Sequence, residues 1–280
     1  MNDLPALVAT EWVAERQATA GVVILDASHH LPTTGRNAKA EYATRHLAGA
    51  RFFDIDGISD QSSDLPHMLP PPAEFAAKVG ALGIGDDDHV VIYDTVGSTG
   101  AARVWWTFRA MGHARVSVMD GGLPKWLAEG RGLTAEVPSP EAKSKTARLD
   151  PALVRAIEDV RGNIDTQAEQ VVDARSAGRF SATEPEPRAG MRGGRIPKSM
   201  NVPFPDVLNQ NRTFKSPNEV RARFEAAGVD LSRPITTTCG SGVTASTLAL
   251  ALYNAGIKTV AVYDGSWSEW GGRPDTPIDS

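Results

Sequence analysis

VSVMDGGLPKW (residues 116–126) and VAVYDGSWSEW (260–270) are one phrase written twice. Asp120 matches Asp264, Gly121 matches Gly265 and Trp126 matches Trp270, each pair 144 positions apart. Self-similarity at a fixed period marks a repeated structural unit. Carried backwards without a gap, that offset lays VVIYDTVGSTGAARVWW (90–106) on PITTTCGSGVTASTLAL (234–250), with Thr95 opposite Cys239. Upstream, VVILDAS (22–28) parallels QVVDARS (170–176), and ALGIGDDDHVV (81–91) parallels AAGVDLSRPIT (226–236) with a one-residue slip. The chain is therefore expected to hold two copies of one domain, over 1–133 and 152–280. Between them TAEVPSPEAKSKTARLDP (134–151) is poor in large apolar residues and reads as a linker.

Within each copy the apolar runs are short and bounded by turn residues: VVIL (22–25), VVIY (90–93) and VSVM (116–119), then QVV (170–172), ITTT (235–238) and VAVY (260–263). They alternate with stretches of helical period, AEFAAKVGALG (73–83), ARVWWTFRAMG (102–112), NEVRARFEAAG (218–228) and STLALALYNAG (246–256), each closed by a glycine at a C-cap position. Short buried strands separated by helical crossovers predict an α/β fold. Each copy is expected to be an open, mainly parallel sheet with helices on both faces. Trp105 and Trp106, on a helical stretch, are expected to be core or interface aromatics rather than a ligand box.

The chain has 280 residues, 41% apolar and 22% charged, the balance of packed domains rather than of disorder. No run approaches the roughly eighteen apolar residues of a membrane span, and the start MNDLPALVATEW lacks the basic and apolar regions of a signal peptide. A cytoplasmic protein with no membrane partner is expected. The net charge of −5 argues against a nucleic-acid partner. A single cysteine permits no intramolecular disulfide and no cysteine pair on a metal, which fits a reducing compartment.

That cysteine, Cys239, follows the run ITTT and precedes a helical stretch, the place where ligands meet open α/β sheets. Gly240 and Gly242 let the backbone curl so that successive N–H groups face whatever Cys239 carries, and a helix N-terminus adds to that field. Both favour a negative sulfur, and the thiolate is the reactive form of cysteine. The structural alternative is a small buried core residue, but core cysteines sit inside periodic segments rather than in a glycine-rich turn. In the first copy GSTGA (97–101) lacks the lysine of a phosphate loop. The acidic GDDDH (85–89) reads as a solvated turn, and His29-His30 lacks further ligands at metal spacing, so no metal is expected.

CGSGVTA (239–245), with YDGSWSEW (263–270) after it and a degenerate copy before it, resembles the tandem-domain rhodanese superfamily, and within it the 3-mercaptopyruvate sulfurtransferase branch. The resemblance runs from about ILDASHHLP to DGSWSEWGG. It implies a sulfurtransferase in which Cys239 is the nucleophile, Gly240, Ser241, Gly242, Val243 and Thr244 form the persulfide loop, and no cofactor takes part. The donor is a small molecule, 3-mercaptopyruvate or thiosulfate, and the acceptor a thiol, a thioredoxin-like protein or cyanide. Thiosulfate-preferring members carry basic residues directly after the cysteine, whereas Gly240 and Ser241 are uncharged, which favours 3-mercaptopyruvate. A protein phosphatase would need an arginine where Ala245 stands. A non-catalytic rhodanese-like binding module is the remaining alternative.

The resemblance also places substrate-binding arginines at Arg179 and Arg188, and the planar fork of arginine suits a carboxylate. Arg175, Arg192, Arg195 and Lys198 read as surface cations. Arg195 stands where the family commonly has a histidine, and no catalytic role is expected of it. Asp56, His67 and Ser241 match the residues proposed in the family to relay a proton, work suited to a histidine.

Overall fold

In a computed structural model of the chain, described over residues 4–31 and 34–280, two compact units form. Residues 1–3, at the head of the first expected domain, lie outside the described residues. The first unit runs to Gln61, resumes over Leu69–Asp150 and takes in Gln210–Phe214; the second comprises Ser62–Met68, Pro151–Asn209 and Lys215–Ser280.

The first unit contains β1 (Leu7–Val8), α1 (Thr10–Arg16), β2 (Val22–Asp26), α2 (Ala38–Thr44), β3 (Arg51–Phe52), α3 (Pro72–Ala81), β4 (His89–Tyr93), α4 (Thr99–Ala110), β5 (Val116–Met119) and α5 (Gly122–Ala128). The second contains β6 (Val154–Arg155), α6 (Ile157–Thr166), β7 (Gln170–Asp173), α7 (Ala177–Phe180), β8 (Met200–Asn201), α8 (Pro217–Ala226), β9 (Ile235–Thr238), α9 (Val243–Asn254), β10 (Val260–Tyr263) and α10 (Ser266–Trp270). The strand orders are β1-β5-β4-β2-β3 and β6-β10-β9-β7-β8, the same order twice, with every pairing parallel.

Burial explains why the central strands read as apolar runs. Every residue of β4, β5, β7, β9 and β10 is buried, as a sheet covered on both faces requires. The expected glycine caps are in place: Gly83, Gly112, Gly228 and Gly256 follow α3, α4, α8 and α9 with φ between 74° and 92°. Trp105 and Trp106 are buried on α4. In the second unit Val160, Val171, Ile196, Tyr263, Trp267 and Trp270 form a buried cluster beside the last strand.

One correspondence in the repeat changes. The ungapped offset sets Thr95 against Cys239, but the sheet registers do not. Ala27 N–H donates to the Tyr93 carbonyl and Ala174 N–H to that of Thr238, both at 2.8 Å. Leu123 N–H donates to Asp94 O, and Trp267 N–H to Cys239 O, both at 2.9 Å. The residue equivalent to Cys239 is therefore Asp94. The first unit places one more residue between this position and the following helix, and an ungapped reading cannot see an insertion inside a turn. Asp94 is wholly buried, and its carboxylate accepts from the N–H groups of Val96 at 2.9 Å, Gly97 at 2.5 Å and Ala101 at 2.9 Å.

The GDDDH turn is not simply solvated. Asp88 is buried, accepts from Gly85 N–H at 2.7 Å and pairs with Lys143 at 2.7 Å, while Asp86 holds Lys145 at 2.8 Å and both the N–H and hydroxyl of Thr146. Lys143 N–H donates to Gly80 O at 2.9 Å, and Arg148 N–H to Met111 O at 3.1 Å. Residues 143–148 thus lie fastened along the first unit by its acidic turn. The reading of that turn missed partners almost sixty residues away, which no local pattern reveals.

Candidate active site

The second unit delivers Cys239 at the carboxyl end of β9, one residue past Thr238. Cys239 is 2% exposed. Gly242 caps α9 in the left-handed region at φ 77°, which a glycine adopts without steric cost, so the chain can reverse into the helix within four residues. Val243 and Thr244 open that helix, whose first N–H groups and dipole favour an anion beside them. Ala245, next on α9, is wholly buried.

The loop is held from behind by the first turn of α10. Ser266 Oγ accepts from Cys239 N–H at 3.2 Å and itself donates to Tyr263 O at 2.8 Å. Trp267 N–H fixes the Cys239 carbonyl at 2.9 Å, and Ser268 donates twice to Gly240 O, from N at 2.8 Å and from Oγ at 2.6 Å. These serines were not singled out in the sequence. The signal was present, because the second copy of the repeated phrase carries Ser266 and Ser268 where the first has Gly122 and Pro124.

Both expected arginines reach the same loop. A Cβ on Gly240 would lie 3.1 Å from Nη2 of Arg179 and 3.8 Å from Nη1 of Arg188, so both guanidinium groups stand close against this glycine. Arg188 also makes long contacts of 3.4 Å to Ser241 Oγ and to Ser268 Oγ. Arg179 is forked onto Glu186, with Nε at 3.1 Å and Nη2 at 2.5 Å from Oε2.

Behind Arg179 lies a buried chain of charges. Asp173 ends β7 and pairs with Arg175 at 2.7 Å; Arg175 pairs with Glu186 Oε1 at 2.7 Å, donates to Gly194 O at 2.8 Å and lies 4.0 Å over the Trp267 ring. Burial works against the Arg175 charge, yet Asp173 and Glu186 outweigh it and raise its pKa. Arg175 is therefore an interior strut and not a surface cation. Arg192 is structural too, donating to the carbonyls of Trp270, Gly271 and Thr276 where α10 ends. The main chain of Arg195 forms an isolated antiparallel bridge with Asp279, and its guanidinium lies 5.2 Å over the Phe180 ring. Lys198 is exposed and caps Ile164 O.

His67 groups with the second unit, where it is 7% exposed at φ 64°, a conformation uncommon outside glycine. Asp56 belongs to the first unit, where its exposed carboxylate lies 3.7 Å from His29 Nε2. The second unit by itself thus assembles Cys239, Gly240, Ser241, Arg179 and Arg188.

The chain is similar to known proteins over nearly its whole length. The chain is 49% identical over 271 residues to a 3-mercaptopyruvate sulfurtransferase of Homo sapiens, covering 95% of this chain and 91% of the relative. It is 47% identical over 272 residues to a thiosulfate sulfurtransferase of Bos taurus, again covering 95% and 91%. The crystal structure of SseA from Escherichia coli, a 3-mercaptopyruvate sulfotransferase, superposes with a TM-score of 0.84 at 36% identity, over 94% of this chain and 99% of that one. Among the described residues no helix is long and apolar enough to cross a membrane. Residues 9–129 and 156–273 each match the Rhodanese-like domain, and the chain belongs to that family with the domain present in two tandem copies.

Proposed function

We propose that the chain is a sulfurtransferase that takes sulfur from 3-mercaptopyruvate onto Cys239 and hands it to a thiol. The Cys239 thiolate attacks the donor sulfur and forms an S–S bond. The carbon–sulfur bond of the donor breaks, its electron pair passes into the pyruvate enolate, and a proton delivered to that carbon gives pyruvate. An acceptor thiol then attacks the outer sulfur of the persulfide, leaves as a persulfide itself and restores Cys239.

The observation that carries this reading is the approach of two arginines to the glycine beside a buried cysteine. Arg179 and Arg188 hold the donor carboxylate, while the loop N–H groups and the start of α9 stabilise the new anion. Ser241, beside Arg188 at 3.4 Å, is the proton-bearing group at the sulfur, with His67 and Asp56 as the further members that family resemblance adds. We take residues 152–280 as the catalytic half, 1–133 as the half without a nucleophile and 134–151 as their connection. A thioredoxin-like acceptor and a cytoplasmic setting complete the proposal, the latter because a lone reactive cysteine suits a reducing compartment.

Relatives bearing both donor names make thiosulfate the second reading. Uncharged Gly240 and Ser241 favour mercaptopyruvate, whose single carboxylate needs the two arginines and no extra cation. The test is kcat/KM for both donors with one thiol acceptor, using Cys239→Ser as blank. A large preference for 3-mercaptopyruvate supports the proposal, and a preference for thiosulfate replaces the donor. Turnover surviving in Cys239→Ser would sink the persulfide route.

A further inference from the structure

Glu186 sits between two arginines of different standing. One carboxylate oxygen, Oε1, is taken by Arg175, which is itself immobilised by Asp173, the Gly194 carbonyl and the Trp267 ring. The other, Oε2, takes both Nε and Nη2 of Arg179. The Glu186 side chain is 4% exposed and that of Arg179 is 23% exposed, so the fork faces inward on Glu186 and outward on its other end.

A guanidinium offers a carboxylate two bidentate edges, the side edge of Nε with one terminal nitrogen and the end edge of both terminal nitrogens. Glu186 occupies the side edge. Nη1 of Arg179 makes no hydrogen bond among the described residues, and Nη2 lies 3.1 Å from where a Gly240 Cβ would stand.

We infer that Glu186 is the positioning residue of the site: by filling the side edge of Arg179 it compels the donor carboxylate to meet the Nη1/Nη2 end, beside the cysteine loop. Its anchor on Arg175 makes that aim a property of the interior rather than of a mobile surface side chain. The inference deepens the proposed function and rests on its assignment of Arg179 to the donor carboxylate.

Steady-state kinetics with 3-mercaptopyruvate on Glu186→Gln, Arg179→Ala and the double variant test it. The neutral isostere keeps the volume and loses the charged fork, so KM should rise about tenfold with kcat within about twofold, the pattern of lost uniform binding. In the Arg179→Ala background the Glu186→Gln change should leave KM where it was, because the residue acts only through that arginine. A fall in kcat at unchanged KM, or KM effects that multiply, would overturn the inference and leave Glu186 a structural pair. If Arg179→Ala alone leaves KM unchanged, the assignment of Arg179 itself falls, a separate failure. Arg179→Lys gives a check that leaves the buried pair intact: Glu186 would hold its single ammonium, so KM should match Arg179→Ala, and a KM equal to the parent's would overturn the edge argument.

Discussion

The guanidinium of Arg175 lies 4.0 Å from the centre of the Trp267 ring, and Trp267 is the residue whose main-chain N–H fixes the Cys239 carbonyl. Packing of the interior and placement of the reactive loop are joined through this pair. Arg175→Met would leave Asp173 and half of Glu186 as buried carboxylates without their partner, which costs about 3–5 kcal/mol. Urea unfolding should record that loss. A loss below about 1 kcal/mol would mean that the buried charges are compensated elsewhere.

Ser268→Ala removes the hydroxyl from Gly240 O and from Arg188 but leaves its N–H on the same carbonyl. Stability should therefore drop by only about 1 kcal/mol. Activity should suffer more, since the loop and an arginine lose a shared tether; kcat/KM should fall about tenfold, or about 1.4 kcal/mol of transition-state binding. Equal kcat/KM in parent and variant would remove Ser268 from the site's support.

Burial lowers the pKa of both His89 and His113 to about 4 from the usual 6.5; Arg115 adds to this at His89 and Lys145 at His113. Both are neutral in the folded chain at neutral pH. Between pH 6.5 and 4 the unfolded chain binds protons that the folded chain refuses, so their contribution to stability is full above 6.5 and declines as pH falls through that window. Melting temperatures across the window should fall more gently in His113→Asn than in the parent. Parallel curves would contradict the assignment.

Asp94→Ala takes away the acceptor of three N–H groups at once, those of Gly97 and Ala101 buried and that of Val96 partly so. Each buried donor left without a partner costs about 1–3 kcal/mol, so destabilisation of at least about 2 kcal/mol is expected. Differential scanning calorimetry measures it, and a change within about 0.5 kcal/mol would mean that the donors find other partners.

The repeat was legible because both strand runs and helix caps recur, and all six apolar runs are strands of the structure. The edge strands β1, β3, β6 and β8 were not, since two residues carry no period. At the site, Cys239 announced itself by its glycines. The armature around it did not: Glu186, Ser266 and Ser268 are ordinary polar residues whose importance comes from partners brought in by folding. Arg175 shows the same limit from the other side, a cation in a basic stretch that looks solvated until the fold buries it. Asp94 was hidden by a single inserted residue.

The two equivalent positions differ in chemistry, a buried carboxylate at Asp94 and a buried thiol at Cys239. In the first unit the Asp94 carboxylate is the built-in acceptor of the turn's N–H groups, so that turn is held by the chain's own side chain. In the second unit an outer sulfur on Cys239 would be bonded to the folded and the unfolded chain alike, so it alters stability only through the contacts it makes in the folded loop. With the loop N–H groups holding a persulfide anion, as the proposed function has it, the sulfur-loaded protein should melt at a higher temperature than the resting one, and equal melting temperatures would mean that the loop gives the outer sulfur no more than solvent does.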